Sequence, residues 1–277
     1  MQTASNPHQP IGIYDSGVGG LSVLRAIRAA LPHEDLLYLG DQANVPYGER
    51  TLEDLRELAR GVTRFMLVQG AKLIVIACNT ASAAALKTLR QEYPEIPFVG
   101  MEPAVKPAAE QTHSGKVGVL ATPSTFQGEL YASVVERFAN GVEIYQETCP
   151  GLVNQIEKGQ LDTPKTRRIL EATLLPLMAR GVDTLVMGCT HFPFVIPLIE
   201  QITAGQARVI DPAPAVARQT QRVLGERGLL NPQPEAGLTR YYTTGDPAKF
   251  ARVLPRLIGV QANPLALRWQ GKDLTPR

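Results

Sequence analysis

Residues 72–86 read KLIVIACNTASAAAL, and this stretch decides the fold. An apolar run typical of a buried strand ends at Cys78, two small polar residues follow, and an alanine-rich helical pattern begins. The same order returns at residues 183–193, DTLVMGCTHFP, where the apolar run ends at Cys189. The sequence therefore predicts two strands that each end in a cysteine, and two helices that each begin there.

Short apolar runs and helical patterns alternate on both sides of the first stretch. Residues 11–14 (IGIY), 36–39 (LLYL) and 96–99 (IPFV) read as further strands. Strand followed by helix in this rhythm predicts an α/β fold, built on an open and mostly parallel sheet with helices on both faces. Helices are expected at about residues 21–31, 51–69, 79–93, 103–111 and 163–180.

The second half of the chain repeats this pattern. The run VGVLA at 117–121 lies 106 positions after IGIYD at 11–15, and VEIY at 142–145 lies 106 positions after LLYL at 36–39. The second cysteine lies 111 positions after the first. Repetition of this kind predicts two similar domains, related by a pseudo-twofold axis, with the active site in the cleft between them.

The repeat also suggests where the domains begin and end. Nothing after Asp211 has a counterpart in the repeat, so this segment is expected to pack back onto the first half. We expect a first domain over residues 1–103, completed by residues 212–277, and a second domain over residues 104–211.

Composition excludes several classes of protein. The net charge is +2 without a concentrated run of Lys and Arg, so nothing points to nucleic acid. No apolar stretch approaches the roughly 18–20 residues that a membrane helix needs. The first ten residues lack the basic and apolar regions of a signal peptide. A cytoplasmic enzyme or binding protein is the expectation.

The chain has three cysteines, Cys78, Cys149 and Cys189. An odd number without a secretory signal argues against a disulfide framework, and no C-x-x-C pair suggests a zinc ribbon or a redox dithiol. Taken singly, each cysteine reads as a small buried apolar residue. Buried packing is the expectation for Cys149.

Polar side chains cluster where the predicted strands end. Ligands of open parallel sheets bind at that edge, so two facing halves would bring Cys78 and Cys189 to one small substrate. A thiol at a helix N-terminus ionises more easily than a free one. Two such thiols suit inversion at a carbon with a weakly acidic hydrogen, because one removes a proton and the other returns one to the opposite face. Asp15 and His191 are the available charge and proton partners.

Ordinary structural roles account for the same residues taken one at a time. Asp15 and Ser16 fit a turn, and His191 fits a core histidine. Tyr47 and Gly48 fit loop packing, while residues 17–20 (GVGG) lack dinucleotide-binding spacing but could bind an anion at the next helix. Three further residues fit helix caps: Asn79, Thr80 and Thr190. The functional interpretation depends on all of them falling at strand ends in two matching halves.

Several blocks together resemble the glutamate racemase family, within the cofactor-independent aspartate/glutamate racemase superfamily. The two cysteine blocks in combination are the most specific part of the resemblance. The blocks are GIYDSGVGGLS (12–22), GD (40–41) with PYG (46–48), ACNTAS (77–82), MEPA (101–104), CP (149–150) with EKG (157–159), MGCTHFP (187–193) and YTTGD (242–246).

The resemblance implies interconversion of L- and D-glutamate, which supplies D-glutamate for peptidoglycan, with no cofactor and no metal. By the family pattern Cys78 serves the D-enantiomer and Cys189 the L-enantiomer. Asp15 is implied to assist Cys78, and His191 with Glu157 to assist Cys189. The residues implied to bind substrate are Asp15, Ser16, Tyr47, Gly48, Asn79, Thr80, Thr190 and His191.

Two alternatives stay open at this point. A racemase of aspartate or of another acidic compound would share most of these blocks. A protein of another class would use Cys78 and Cys189 to bind metal or sense redox state, although only His191 is a convenient further ligand. No lysine lies at these strand ends, as a pyridoxal enzyme would require. The expected partner is a small-molecule substrate, and a homodimer is possible.

Overall fold

The computed structural model of the protein describes residues 6–277, so the first five residues of the expected first domain lie outside it. The strands are β1 Ile11–Asp15, β2 Leu36–Gly40, β3 Leu73–Ile76, β4 Phe98–Gly100, β5 Lys116–Leu120, β6 Glu143–Glu147, β7 Thr184–Met187, β8 Arg208–Ile210, β9 Thr239–Thr243, β10 Leu265–Gln270 and β11 Asp273–Pro276. The helices are α1 Leu21–Ala30, α2 Leu52–Val68, α3 Asn79–Glu92, α4 Val105–Gln111, α5 Pro123–Phe126, α6 Glu129–Phe138, α7 Leu152–Glu157, α8 Pro164–Ala179, α9 Ile196–Ile202, α10 Ala213–Glu226 and α11 Pro247–Ile258.

The strands form two sheets. One has the order β11-β10-β9-β2-β1-β3-β4, and the other has the order β6-β5-β7-β8. Strands pair in parallel throughout, apart from the antiparallel pair β10–β11 at one edge. The arrangement β2-β1-β3-β4 and the arrangement β6-β5-β7-β8 are the same, so the predicted fold of two similar α/β halves is confirmed.

The register corrects one detail of the repeat. Ile11 pairs with Leu36 in the first sheet, while Val117 pairs with Ile144 in the second. The counterpart of Leu36 is therefore Ile144, and the alignment of residues 142–145 with 36–39 was wrong by two residues. The connection from β5 to β6 is longer than the connection from β1 to β2, so a constant offset cannot align both pairs of strands.

The expectation that both cysteines open helices was right at Cys78 and wrong at Cys189. Cys78 is the N-cap of α3. Cys189 instead enters a turn, then a 3-10 helix over Phe192–Val195, and only then α9. Pro193 and Pro197 lie in the first turns of these two short helices, and neither proline can donate the backbone hydrogen bond that a continuous α-helix requires.

The segment after β8 returns to the first sheet. β9 pairs with β2, β10 extends the sheet beyond β9, and β10 turns back as β11. α10 packs against α1, and β11 lies against α2. The expected domain ends near residues 103 and 212 stay a prediction, while the chain crosses between the sheets after β4 and after β8.

The central strands are apolar along their whole length because helices cover both faces of the sheet. Every residue of β1, β2 and β3 is buried. One apolar core includes Val18 of the first half together with Leu120 and Met187 of the second. The two halves are therefore held together by a shared core next to the cleft.

Candidate active site

A small cavity opens between the two halves, at the carboxyl ends of their strands. Both Cys78 and Cys189 line it, and neither is in a disulfide. Its other lining residues are Ser16, Val45, Pro46, Tyr47, Gly48, Asn79, Thr80, Thr122, Val153, Thr190 and His191. Two of the predicted site residues, Asp15 and Glu157, lie behind this wall and contact residues that form it.

Cys78 is held at the start of α3, where its sulfur accepts a hydrogen bond from the backbone N–H of Ala81 at 3.5 Å. The side chain is almost fully buried, with 5% of the residue exposed. Burial raises the pKa of the Cys78 thiol well above its usual value, and the charge of Asp15 adds to this rise. The backbone N–H groups of Ala81 and Ser16 lower the pKa of Cys78, as expected at a helix N-terminus, but loss of solvation outweighs them.

Asp15 ends β1 and joins the two halves. One carboxylate oxygen accepts from the N–H of Gly17 at 3.0 Å, and the other accepts from the hydroxyl of Thr190 at 3.1 Å. Complete burial raises the pKa of Asp15, and the positive charge of His191 only partly offsets this. The Asp15 carboxyl is therefore better suited than an exposed carboxylate to exchange a proton near neutral pH.

His191 lies between Cys189 and Glu157. Its Nδ1 is 3.8 Å from the sulfur of Cys189, and its Nε2 is 2.6 Å from Oε1 of Glu157. Burial lowers the pKa of His191, but the hydrogen bonds to Cys189 and Glu157 outweigh it and hold the pKa well above its usual value. Burial likewise raises the pKa of Glu157, yet the bond to His191 brings it below its usual value. Both shifts favour the charged pair, an imidazolium beside a carboxylate.

The glycine-rich turn after β1 supports this pair from the first half. The N–H of Val18 donates to Oε1 of Glu157 at 2.7 Å. A Cβ at Gly17 would lie 2.0 Å from that same oxygen, and a Cβ at Gly19 would lie 2.4 Å from Nδ1 of His191. The turn thus receives an anion, as its glycines suggested, but that anion is a carboxylate of the protein.

The amide of Asn79 is the least satisfied polar group of the cavity wall. The residue is 4% exposed, and neither its Oδ1 nor its Nδ2 finds a hydrogen-bond partner among the described residues. Leaving a buried amide unpaired costs about 1–3 kcal/mol. The Asn79 amide is therefore available to pair with a ligand in the cavity.

Hydroxyl groups form a second polar part of the wall. Thr80 lies 3.0 Å from the hydroxyl of Thr122 and 3.4 Å from that of Thr125. The Tyr47 hydroxyl donates to Asp41 at 2.7 Å, and the Ser124 hydroxyl donates to the carbonyl of Gly48. The loop that carries Tyr47 and Gly48 is thereby attached to both halves.

Sequence reasoning missed part of the site. Thr122, two residues after β5, belongs to a polar cluster that the strand-end rule places at the cavity, but sequence reasoning assigned it no role. Val45, Pro46 and Val153 line the cavity without any chemical signal in their sequence. Cys149 lies in the apolar core, where burial raises the pKa of its thiol to about 12.

The comparison with protein families agrees with this geometry. The model of Asp/Glu/hydantoin racemases matches residues 19–220. The chain belongs to this racemase family. It is 52% identical to the glutamate racemase of Ectopseudomonas mendocina (strain ymp) over 253 residues, which cover 91% of this chain and 96% of that protein.

Solved structures of glutamate racemases share the fold. The isoform RacE1 from Bacillus anthracis superposes with a TM-score of 0.86 at 31% identity, over 97% of this chain and 100% of that one. The enzyme from Francisella tularensis subsp. tularensis SCHU S4, solved in complex with D-glutamate, gives a TM-score of 0.81 at 29% identity, over 94% of this chain and 97% of that one. The resemblance stated from the sequence is confirmed.

Proposed function

We propose that this protein is a glutamate racemase that moves a proton between the two faces of the α-carbon with two thiols. The observation that carries the proposal is one cavity lined by Cys78 from the first half and Cys189 from the second, each with its own acid–base partner. No cofactor takes part in the proposed reaction.

In the direction from L- to D-glutamate, the Cys189 thiolate takes the α-proton. The electron pair left on the α-carbon delocalises into the α-carboxylate, and the Cys78 thiol gives its proton to the opposite face. The raised pKa of Cys78 supports its role as the donor in this direction. The imidazolium of His191, 3.8 Å from the Cys189 sulfur, stabilises the thiolate that starts the reaction.

The reverse direction exchanges the roles of the thiols. Cys78 must first lose its proton, and Asp15 is the carboxylate assigned to accept it, because burial raises the pKa of Asp15 towards the range of a general base. Cys189 first receives a proton from the His191 imidazolium and then gives it to the α-carbon from the other side. Glu157 orients His191 in both directions.

The polar groups of the wall are assigned to the two carboxylates and the ammonium of glutamate. The unpartnered amide of Asn79 and the backbone N–H groups at the start of α3 suit the α-carboxylate and the negative charge that grows on it. Asp15 suits the ammonium. The remaining substrate contacts are assigned to Ser16, Tyr47, Gly48, Thr80, Thr190 and His191.

The alternatives have less support. An aspartate racemase of the same fold is not favoured, because the relatives of high identity are glutamate racemases. Among residues 6–277, no three His, Cys, Asp or Glu side chains are placed to hold a metal ion. The metal-sensing alternative therefore has no observation in its favour.

The experiment that tests the function starts with protein stripped of metals and incubated with L-glutamate in deuterated water. We expect loss of optical rotation together with deuterium at the α-carbon. Cys78→Ala and Cys189→Ala should each reduce racemisation by at least about a thousandfold, since each removes one of two required proton carriers. Retained rotation without deuterium uptake in the unmodified protein contradicts the proposal, and full activity in either variant removes that thiol from the mechanism.

The proposed role of the protein is to supply D-glutamate in the cytoplasm for peptidoglycan. The proposed assembly is a homodimer. No helix in the described range is both long and apolar enough to span a membrane. Sedimentation at several protein concentrations tests the assembly.

A further inference from the structure

Asp41 collects hydrogen bonds from three separate parts of the chain. The residue is fully buried. Its Oδ2 accepts from the Tyr47 hydroxyl at 2.7 Å, while its Oδ1 accepts from the Thr244 hydroxyl at 2.7 Å and from the Trp269 indole N–H at 2.8 Å. Asn44 donates to both oxygens, at 3.2 and 3.0 Å. A buried carboxylate with this many donors holds each of them in a defined place.

Only one of these donors belongs to the cavity wall. Tyr47 lines the substrate cavity, whereas Trp269 comes from the β10–β11 hairpin at the end of the chain. The backbone N–H of Asp41 also donates to the carbonyl of Asp15 at 3.0 Å. Asp41 therefore connects the terminal hairpin to the loop that carries Tyr47 and Gly48.

A glycine inside α2 leaves room for the indole. A Cβ at Gly61 would lie 2.5 Å from Cζ3 of Trp269 and 2.5 Å from the carbonyl oxygen of Lys272. Glycine in a helix interior costs about 1 kcal/mol relative to alanine. The close approach of the hairpin accounts for glycine at this position. This packing contact is independent of the hydrogen bonds to Asp41.

We propose that the terminal hairpin positions the substrate loop, with Trp269 acting through Asp41 on Tyr47. Trp269 touches no substrate in this scheme and is a positioning residue. The inference deepens the proposed racemase function, because the loop it positions is part of the substrate cavity. Coupling between two sites is reciprocal, so binding of glutamate at the loop must also affect the contacts of the hairpin.

Trp269→Phe and Gly61→Ala test the proposal by two different changes. The first removes the indole N–H, and the second pushes the indole away without removing any polar group. Each should raise the KM for glutamate about tenfold with a much smaller change in kcat, because none of the assigned acid–base groups lies in this loop and one hydrogen bond is worth about this factor. Gly61→Val should raise KM further than Gly61→Ala.

Arg64→Ala is the matched control. Arg64 holds the outer side of the same hairpin, through Asp273 at 2.7 Å and the carbonyl of Lys272 at 2.6 Å. This variant should shift the thermal midpoint while KM stays within about twofold, as expected for loss of an exposed ion pair. A hairpin that only adds stability would give the same result for Trp269→Phe, and that result contradicts the proposal.

A second readout does not depend on catalysis. Trp269 is the single tryptophan of the chain, so its fluorescence reports on the hairpin alone. Glutamate should change the emission of the unmodified protein, and Tyr47→Phe or Asp41→Asn should abolish the change. Trp269→Phe should add little to the KM of Tyr47→Phe, since both interrupt one connection. Additive effects on KM, or unchanged emission in a protein that racemises glutamate, overturn the inference; absence of racemisation in the unmodified protein overturns the function instead.

Discussion

Cys78 and Cys189 share a cavity but have different partners. Cys78 lies near the buried carboxyl of Asp15, while Cys189 lies beside the ion pair of His191 and Glu157. The charge of Asp15 opposes ionisation of Cys78, whereas an imidazolium stabilises a thiolate at Cys189. In the free protein we therefore expect Cys78 to hold its proton.

Asn79 gives a residue-scale prediction in which stability and binding separate. Its buried amide has no partner among the described residues, so Asn79→Ala should leave the thermal midpoint unchanged or slightly higher. The same change should raise the KM for glutamate about tenfold, because the proposed partner of a carboxylate is lost. Thermal melting and steady-state kinetics check both effects. A lower midpoint with normal KM would indicate that the amide has a structural role.

Gly19 gives a prediction about close approach. Gly19→Ala should displace the His191 ring, because the new Cβ would meet Nδ1 at 2.4 Å and the Thr190 hydroxyl at 2.7 Å. We expect kcat to fall about a hundredfold, as is typical when a proton-transfer group is misplaced. The control is Gly225→Ala in α10, where the nearest atom to the new Cβ is Leu230 Cδ1 at 3.7 Å. Equal activity of the two variants would contradict the assigned role of His191.

Residue types at strand ends were enough to find most of the candidate site. Asp15, Asn79 and Thr190 lie at the ends of apolar runs, so their position in the cavity wall or directly behind it could be predicted. Gln42 could not be found in this way, although its amide donates to Glu157 at 2.9 Å, because that contact joins positions 115 apart. The direction of the Cys78 pKa shift was also missed, because the extent of burial of a thiol at a strand end is set by tertiary packing.

At the scale of elements, Asp183 stabilises the turn before β5. Its carboxylate accepts from the Thr112 hydroxyl at 2.6 Å and from the N–H groups of His113 and Ser114 at 2.7 Å each. Burial raises the pKa of Asp183, but these hydrogen bonds together outweigh it and bring the pKa to about 2. The turn that leads into the second sheet is thus held by an ionised group.

This arrangement predicts how stability depends on pH. A lowered carboxyl pKa stabilises the folded state above the unfolded pKa of about 4, and the contribution is lost as the pH falls towards 2. Asp183→Asn should cost roughly 1–2 kcal/mol at pH 7, after allowance for solvent screening, and much less near pH 2.5. Urea unfolding at both pH values measures this. Asp162→Asn is the control, since Asp162 forms an exposed pair with Arg167 at 3.7 Å.

Element types were predicted better than element ends. Strands β1 to β3 were found because both of their faces are buried, which gives continuous apolar runs. Two helices, α5 and α6, were not predicted between β5 and β6. The turn after Cys189 was predicted as a helix because its apolar residues fit a helical pattern. Two prolines, Pro193 and Pro197, prevent a continuous helix there.

At the scale of the whole molecule, glutamate should stabilise the protein by bridging the halves. A ligand at about a hundred times its Kd adds about 2.7 kcal/mol to the free energy of unfolding. We expect the thermal midpoint to rise by several degrees with either enantiomer of glutamate and not with norleucine, which lacks the second carboxylate. An equal rise with norleucine would contradict recognition of both carboxylates.

The two-part architecture could be predicted because the pattern of elements repeats, even though few residues do. The distance between the halves could not, since periodicity carries no information on how two sheets face each other. The return of the last segment to the first half was predicted, but the packing of the terminal hairpin against α2 was not. Its contact with α2 depends on a glycine whose role appears only when Trp269 is next to it.

Thermodynamics limits the effect that the different surroundings of the two thiols can have on the reaction. Enantiomers have equal free energy in water, so the equilibrium constant between them is fixed by symmetry and no protein can change it. The ratio of kcat to KM must therefore be the same for both enantiomers, whatever separates Asp15 from the His191–Glu157 pair. Chemical differences between the two halves can therefore make kcat and KM differ between the enantiomers only if both change by the same factor.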